Sequence, residues 1–383
     1  MNCVTIVSYN ILVNGHALDP FLPSRGLRQG DPLSPLLFTL VTQTLSLLIN
    51  DRMNRGLLQG IKLSARSEPL SHLLFADDSL FFLKANMNEF LQIQDVLYLF
   101  GFATGLTLNL NKSAVKFSTN TDAGTAKELA DTLRVENNQN LGTYLGLPTD
   151  WQRSKTKAVD WLVDRTTTKI ENWKAKMLSE AGREVLIRSV LQAVPQYLMS
   201  IVMIPQALCK KLCSKIARFW WGGNKEKSTH WVNWNELSKH KMDGGIGFRD
   251  FHAMNKANLM KQAWRIITNP DCMMAVTLKG KYFPDTSFLE VNYKKGSSWT
   301  WRSILMGRDL IKDELRWTVG DGASINIWND NWIPGRRSTP NNRNSTLQNV
   351  RDLLRENKNE WNRELIDTLF DPNTAATLSL IHI

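Results

Sequence analysis

Residues His72 to Leu83 read HLLFADDSLFFL, two short apolar runs with Asp77 and Asp78 between them. Runs of that length, broken by residues at home in a turn, predict a β-hairpin with an acidic tip. Two adjacent like charges thrust out together are costly unless a cation balances them. A hard divalent cation is the natural partner: Mg²⁺ takes one or two protein carboxylates and leaves the rest of its shell to water and substrate phosphates. The competing reading of FADD alone is a plain polar turn.

The flanking sequence predicts elements on both sides of that hairpin. Val4 to Val13 is strand-like, and Asn14-Gly15 is a two-residue turn signal. After a loop with Pro20 and Pro23, the run Asp31, Pro32, Ser34, Pro35 is suited to a helix start, and Leu36, Leu37, Leu40, Val41, Leu45 and Leu48 recur as in a buried helix. Met87 to Phe102 predicts an amphipathic helix ended by Gly101 and Gly105, with Leu106 to Phe117 as strand and Ala123 to Arg134 as a polar helix. Trp161 to Ser200 reads as packed helices with a basic outer face. Trp317 to Gly335 reads as hairpins turned by Gly320-Asp321-Gly322, and residues 339–383 are polar and thinly patterned.

Composition narrows the class. With 383 residues, 43% of them hydrophobic, the chain is long enough for two or three domains, and no apolar run reaches membrane-spanning length. Four scattered cysteines fit a reducing compartment better than a stapled secreted scaffold. The net charge of +11 is concentrated: residues 209–302 carry 17 basic and 7 acidic groups, together with seven of the 14 tryptophans. Basic charge interleaved with flat aromatics suits nucleic acid, although tryptophans are also ordinary core residues. Cys209 and Cys213 fall with Leu212, Ile216 and Trp220 on one helical face, which favours a core stripe over a zinc site. Gly244-Gly245-Ile246-Gly247 lacks the context of a dinucleotide cradle and reads as a turn.

Taken in order, RGLRQGDPLSP at Arg25–Pro35, FADD at Phe75–Asp78, NLNKS at Asn109–Ser113 and YLGLP at Tyr144–Pro148 resemble successive blocks of the reverse transcriptases of non-LTR retrotransposons, of the long interspersed kind abundant in plants. The likeness continues through AGREVLIRSVLQAVPQYLMS, FWWGG, GGIGFRD and IWNDNWIPG, and so covers nearly all but the last 45 residues. It implies an α+β chain with an incomplete reverse transcriptase palm at residues 1–148 and a helical thumb at 149–205. A basic, Trp-rich nucleic-acid-binding region at 206–302 and a β-containing tail at 303–383 would follow. It further implies that Asp77 and Asp78 hold catalytic Mg²⁺ or Mn²⁺ and that Lys112 neutralises the pyrophosphate leaving group. Arg28, Gln29 and Gly30 would place nucleotide and template, and Tyr144, Leu145 and Gly146 would grip the primer. Lys174, Lys176, Arg218, Lys225 and Lys227 are the basic residues expected on nucleic acid.

The family also implies an earlier block with another metal-binding aspartate and a fingers region ahead of Val4, and Asp19, Asp31 and Asp51 do not stand in a strand context that could replace it. The expectation is therefore an RNA-directed DNA polymerase that uses an RNA template, a DNA primer and deoxynucleoside triphosphates, with little or no activity from this chain alone. The alternatives are a non-catalytic basic binder of nucleic acid, and completion of the site by a second chain. No zinc and no membrane are expected, and the location is expected to be nuclear or cytoplasmic, not secreted.

Overall fold

The computed structural model of the chain describes residues 6–24, 26–138, 141–149, 155–173, 178–222, 230–312, 314–334, 347–355 and 360–379. It is a mixed α+β protein whose strands are short and paired two by two. Two compact units divide the chain: residues 1–165 with 269–288, and residues 166–268 with 289–383.

In the first unit the long helix Ser34–Asn54 starts on a loop that is itself capped. Asp31 accepts the Leu33 N–H at 2.8 Å, and proline occupies the first turn, where a missing donor costs nothing. The helix Met87–Thr104 begins with Asn86 accepting from the Glu89 N–H and stops at Gly105, which takes the left-handed conformation (φ 75°) that closes a helix end. The two helices share a core made of Leu45, Ile49, Leu58, Ile93, Val96 and Phe100, against which Leu74 and Phe81 of the acidic hairpin pack. Burial of the first helix is one-sided, however. Leu36, Leu40, Val41 and Leu47 lie open, because apolar residues encircle this helix while only one side meets a partner.

One further expectation in this unit needs correction. Leu106–Phe117 is strand only at Ala114–Val115, paired in parallel with Glu136–Asn137, because a 3-10 turn at Leu110–Lys112 interrupts the run. The Asn14-Gly15 turn forms as expected, joining Leu12–Val13 to His16–Ala17, yet both strands are exposed. The helix Ala123–Leu133, capped by Asp122, buries Ala126, Leu129 and Ala130.

The second unit is built on helices. The helix Glu180–Leu186 widens into a single π turn at Ile187–Leu191, from which Arg188 reaches the carbonyls of Ile246 and Gly247 and the ring of Phe248, 5.5 Å from its centroid. The glycine turn at residues 244–247 is thus held by an arginine from another element. The helix Phe251–Thr268 crosses Trp299–Lys312 at Gly307, where an added Cβ would lie 2.5 Å from the Leu259 backbone. Asn255, fully buried, donates to the carbonyls of Met199 and Val202 and accepts from the Ile204 N–H. Those three bonds fix the end of helix Gln196–Ile201 onto this pair.

Residues 317–334 do not form the expected hairpins. Ile327 N–H bonds Gln348 and Val350 N–H bonds Ile325, so the middle of the segment pairs with residues 348–350, and within the segment the Trp317 N–H reaches the Asn331 carbonyl without a hairpin ladder. The gain is burial: Val319, Ile325, Ile327, Trp332 and Ile333 join Val350, Leu353, Ile366 and Phe370 in one core. The polar tail also folds further than its composition suggests, into helices Arg363–Leu369 and Pro372–Leu378. Asp371 caps the second of these.

Candidate functional site

The acidic hairpin is a four-residue ladder, His72↔Phe81 to Phe75↔Asp78, closed by the two-residue turn Ala76-Asp77. Ala76 sits at φ 50°, a left-handed conformation that costs a residue with a Cβ about 1–2 kcal/mol. Asp77 and Asp78 are both exposed at this tip, and among the described residues no cation pairs with either. The base of the hairpin is tied down from behind. Ser46 on the long helix meets His72 Nε2 at 2.8 Å, Ser71 meets Nδ1 at 2.8 Å, and burial lowers the histidine pKa.

The loop that carries Arg28, Gln29 and Gly30 is folded back on the start of helix Ser34–Asn54, with Ser34 Oγ donating to the Arg28 carbonyl at 2.7 Å. All three residues are exposed, and Gly30 has φ 84°. Arg25 lies outside the described residues. Lys112 ends the 3-10 turn Leu110–Lys112 and is exposed.

YLGLP is a miniature hairpin, Thr143↔Pro148 and Tyr144↔Leu147, turned by Leu145 (φ 51°) and Gly146 (φ 75°). Arg165 donates to the Gly146 carbonyl at 2.8 Å and stacks over Trp161, its guanidinium 5.1 Å from the ring centroid. Two left-handed residues in succession are held in place by that arginine.

None of Arg28, Gln29, Asp77, Asp78 and Lys112 is linked to another by a hydrogen bond or ion pair among the described residues. Of the expected nucleic-acid residues, Arg218 is exposed on helix Gln206–Trp220, whereas Lys174, Lys176, Lys225 and Lys227 lie outside the described residues. Sequence reasoning missed His72, Ser46, Ser71 and Arg165. Ser46, His72 and Arg165 act across gaps in sequence and Ser71 through the ring of its neighbour, and no local pattern marks such residues.

Two open carboxylates with oxygen-only donors suit one hard divalent cation that completes its shell with water and phosphate oxygens. Asp31 is occupied by the Leu33 N–H in the loop ahead of the long helix and Asp51 by an ion pair with Arg55 at 3.0 Å. No group of three or more His, Cys, Asp or Glu able to hold a metal occurs among the described residues. Cys209 and Cys213 face the core of the second unit, and burial first of all pushes their thiols up, to about 11 and about 12.

Residues 1–161 match the reverse transcriptase (RNA-dependent DNA polymerase) family. An uncharacterised mitochondrial protein of Arabidopsis thaliana is 42% identical over 151 residues, which span 39% of this chain and 97% of that protein. A provisionally named ribonuclease H protein of Arabidopsis thaliana is 34% identical over 182 residues, 46% of this chain and 29% of its own length. The Pol polyprotein of a type-2 retrotransposable element of Drosophila melanogaster is 33% identical over 99 residues, 26% of this chain and 8% of that protein. The chain therefore spans less than a third of the two longer relatives.

Proposed function

The chain belongs to the reverse transcriptases of retrotransposons, and from that premise we propose that it carries the acidic turn and primer-holding elements of an RNA-directed DNA polymerase of the non-LTR kind. The observation that carries the proposal is the tip of the hairpin, where Asp77 and Asp78 stand exposed and, among the described residues, without a cationic partner inside the matched segment.

In this reading the residues divide the work. Asp77 and Asp78 hold Mg²⁺ or Mn²⁺. When bound, the cation lowers the cost of charge on the attacking primer oxygen and on the leaving group. Gly30 lets backbone approach the incoming nucleotide closely, and Arg28 and Gln29 offer donors to phosphate and base. Lys112 is exposed, with an ammonium suited to neutralising departing pyrophosphate. The Leu145-Gly146 turn, stiffened by Arg165, presents backbone to the primer end. Residues 1–148 act as palm and 149–205 as thumb. RNA template, DNA primer and deoxynucleoside triphosphates are the partners.

Two carboxylates hold a two-metal centre poorly, since orientation as well as charge sets the rate. We accordingly expect the chain by itself to extend a primer weakly or not at all. Primer extension on a primed RNA template with Mg²⁺ and all four deoxynucleotides, with Asp77→Asn beside it, tests this directly. Extension that vanishes in the variant assigns full catalysis to this chain and overturns the expected incompleteness. Mn²⁺ binding followed by paramagnetic resonance tests the metal assignment separately, because binding equal in wild type and Asp77→Asn would remove the acidic turn from the site. The second reading, a binder without catalysis, is favoured by there being only two carboxylates at the tip and predicts salt-sensitive capture of primed template that is indifferent to Asp77.

A further inference from the structure

The helix Gln206–Trp220 divides its circumference cleanly. Cys209, Leu212, Ile216, Ala217, Phe219 and Trp220 are buried. At about 100° per residue, Ala207, Lys210, Lys211, Ser214, Lys215 and Arg218 occupy the opposite arc, which spans roughly 140°. That outward arc holds four cations and one hydroxyl, and the whole helix contains no acidic residue. Lys210, Lys211 and Arg218 are exposed and Lys215 is partly so. No carboxylate pairs with any of the four among the described residues.

Such a face is unusual on physical grounds. Lys211 and Lys215 are four residues apart, and Lys215 and Arg218 three, so like charges stand one above another at the spacings where they repel. An ordinary solvated face relieves this with interspersed glutamates, and this chain does so elsewhere, pairing Arg188 with Glu184 at 2.8 Å and Lys239 with Glu236 at 2.7 Å. Here the four charges lie over about 12 Å of helix axis, at 1.5 Å per residue. The buried stripe beneath them leaves the helix little freedom to turn the charges away.

We propose that this face of helix Gln206–Trp220 is a binding surface for the phosphate backbone of a nucleic-acid duplex, held through Lys210, Lys211, Lys215 and Arg218 with no reading of base sequence. A row of positive charge on a rigid rod matches a backbone that carries one charge per 3.4 Å of each strand. The choice of nucleic acid over another polyanion rests on membership of the polymerase family. The surface itself lies outside the matched residues 1–161 and needs neither the acidic turn nor a primer end.

The experiment is fluorescence anisotropy of the full chain with a blunt 20-base-pair DNA duplex of arbitrary sequence, without Mg²⁺, between 50 and 200 mM salt. The log–log salt slope falls by about 0.9 for each phosphate that the protein ceases to neutralise. The quadruple variant Lys210→Gln, Lys211→Gln, Lys215→Gln, Arg218→Gln is expected to flatten the slope by about 2 to 4 and to weaken binding at least tenfold at 50 mM, equally for unrelated sequences. Lys211→Arg and Lys215→Arg together should keep the wild-type slope, and circular dichroism should show the helix content of the quadruple variant unchanged. Wild-type affinity and slope in the quadruple variant would overturn the proposal, as would capture of anionic phospholipid vesicles in place of duplex through the same four residues. Asp77→Asn is expected to leave this binding intact, so failure of the catalytic reading and failure of this one give different results.

Discussion

At the scale of single residues, the acidic turn stores strain and its anchor titrates. Ala76 adopts φ 50° with an exposed side chain, so Ala76→Gly relieves a left-handed cost of about 1–2 kcal/mol, offset in part by glycine's freedom in the unfolded chain. The expected net gain is about 0.5–1 kcal/mol by urea denaturation, and Ala76→Val should lose more than that. His72, whose pKa burial lowers, is bonded on both ring nitrogens by serine hydroxyls. Its contribution to stability is complete above the unfolded value of about 6.5 and is lost as pH falls through the lower folded value, because the unfolded chain takes up the proton first. A drop in urea midpoint between pH 7.5 and 5 that shrinks in His72→Gln would bear this out, and an equal drop in both would assign the pH response to other groups.

Among elements, close approach decides stability. Helix Phe251–Thr268 touches Trp299–Lys312 at Gly307 with no space for a methyl group, so Gly307→Ala must push two backbones apart. Overpacking of that kind costs about 1–3 kcal/mol, measurable as a lowered urea midpoint for the second unit. Elements written by local rules were legible in the sequence: the Asn14-Gly15 turn, the acidic hairpin, the helix that Gly105 ends, and the Cys209 stripe. What escaped were partnerships. Nothing within Trp317–Gly335 announces that Ile325 and Ile327 pair with residues 348–350, since that choice depends on the apolar surface that Ile366 and Phe370 bring from further along the chain. The candidate site divides the same way. Its carboxylates and turn residues stood out, whereas Arg165 and Ser46, which hold turns in place from distant helices, did not.

On the scale of the whole molecule, the first unit shows an apolar face that an isolated protein would ordinarily cover. Leu36 is 64% exposed, Leu40 67%, Tyr98 70% and Phe102 83%, and a groove of about 490 Å³ lined by Val41, Leu47, Leu48 and Leu99 runs between the two long helices. Monomeric soluble proteins rarely leave more than a few hundred Å² of contiguous apolar surface open. The chain is therefore expected to bind an apolar dye at neutral pH and to self-associate at micromolar concentration. Leu36→Lys, Leu40→Lys and Phe102→Lys together should abolish both without lowering the urea midpoint. Dye binding unchanged by the triple variant would place the open surface elsewhere. The buried thiol of Cys209, on the inner face of the basic helix, offers a clock for the other unit. Protonated and walled in, Cys209 is closed to an alkylating reagent until its helix lifts from the core, while Cys213 and Cys272 stay partly open throughout. The lag before Cys209 takes its label would time the rare excursions in which that unit comes apart.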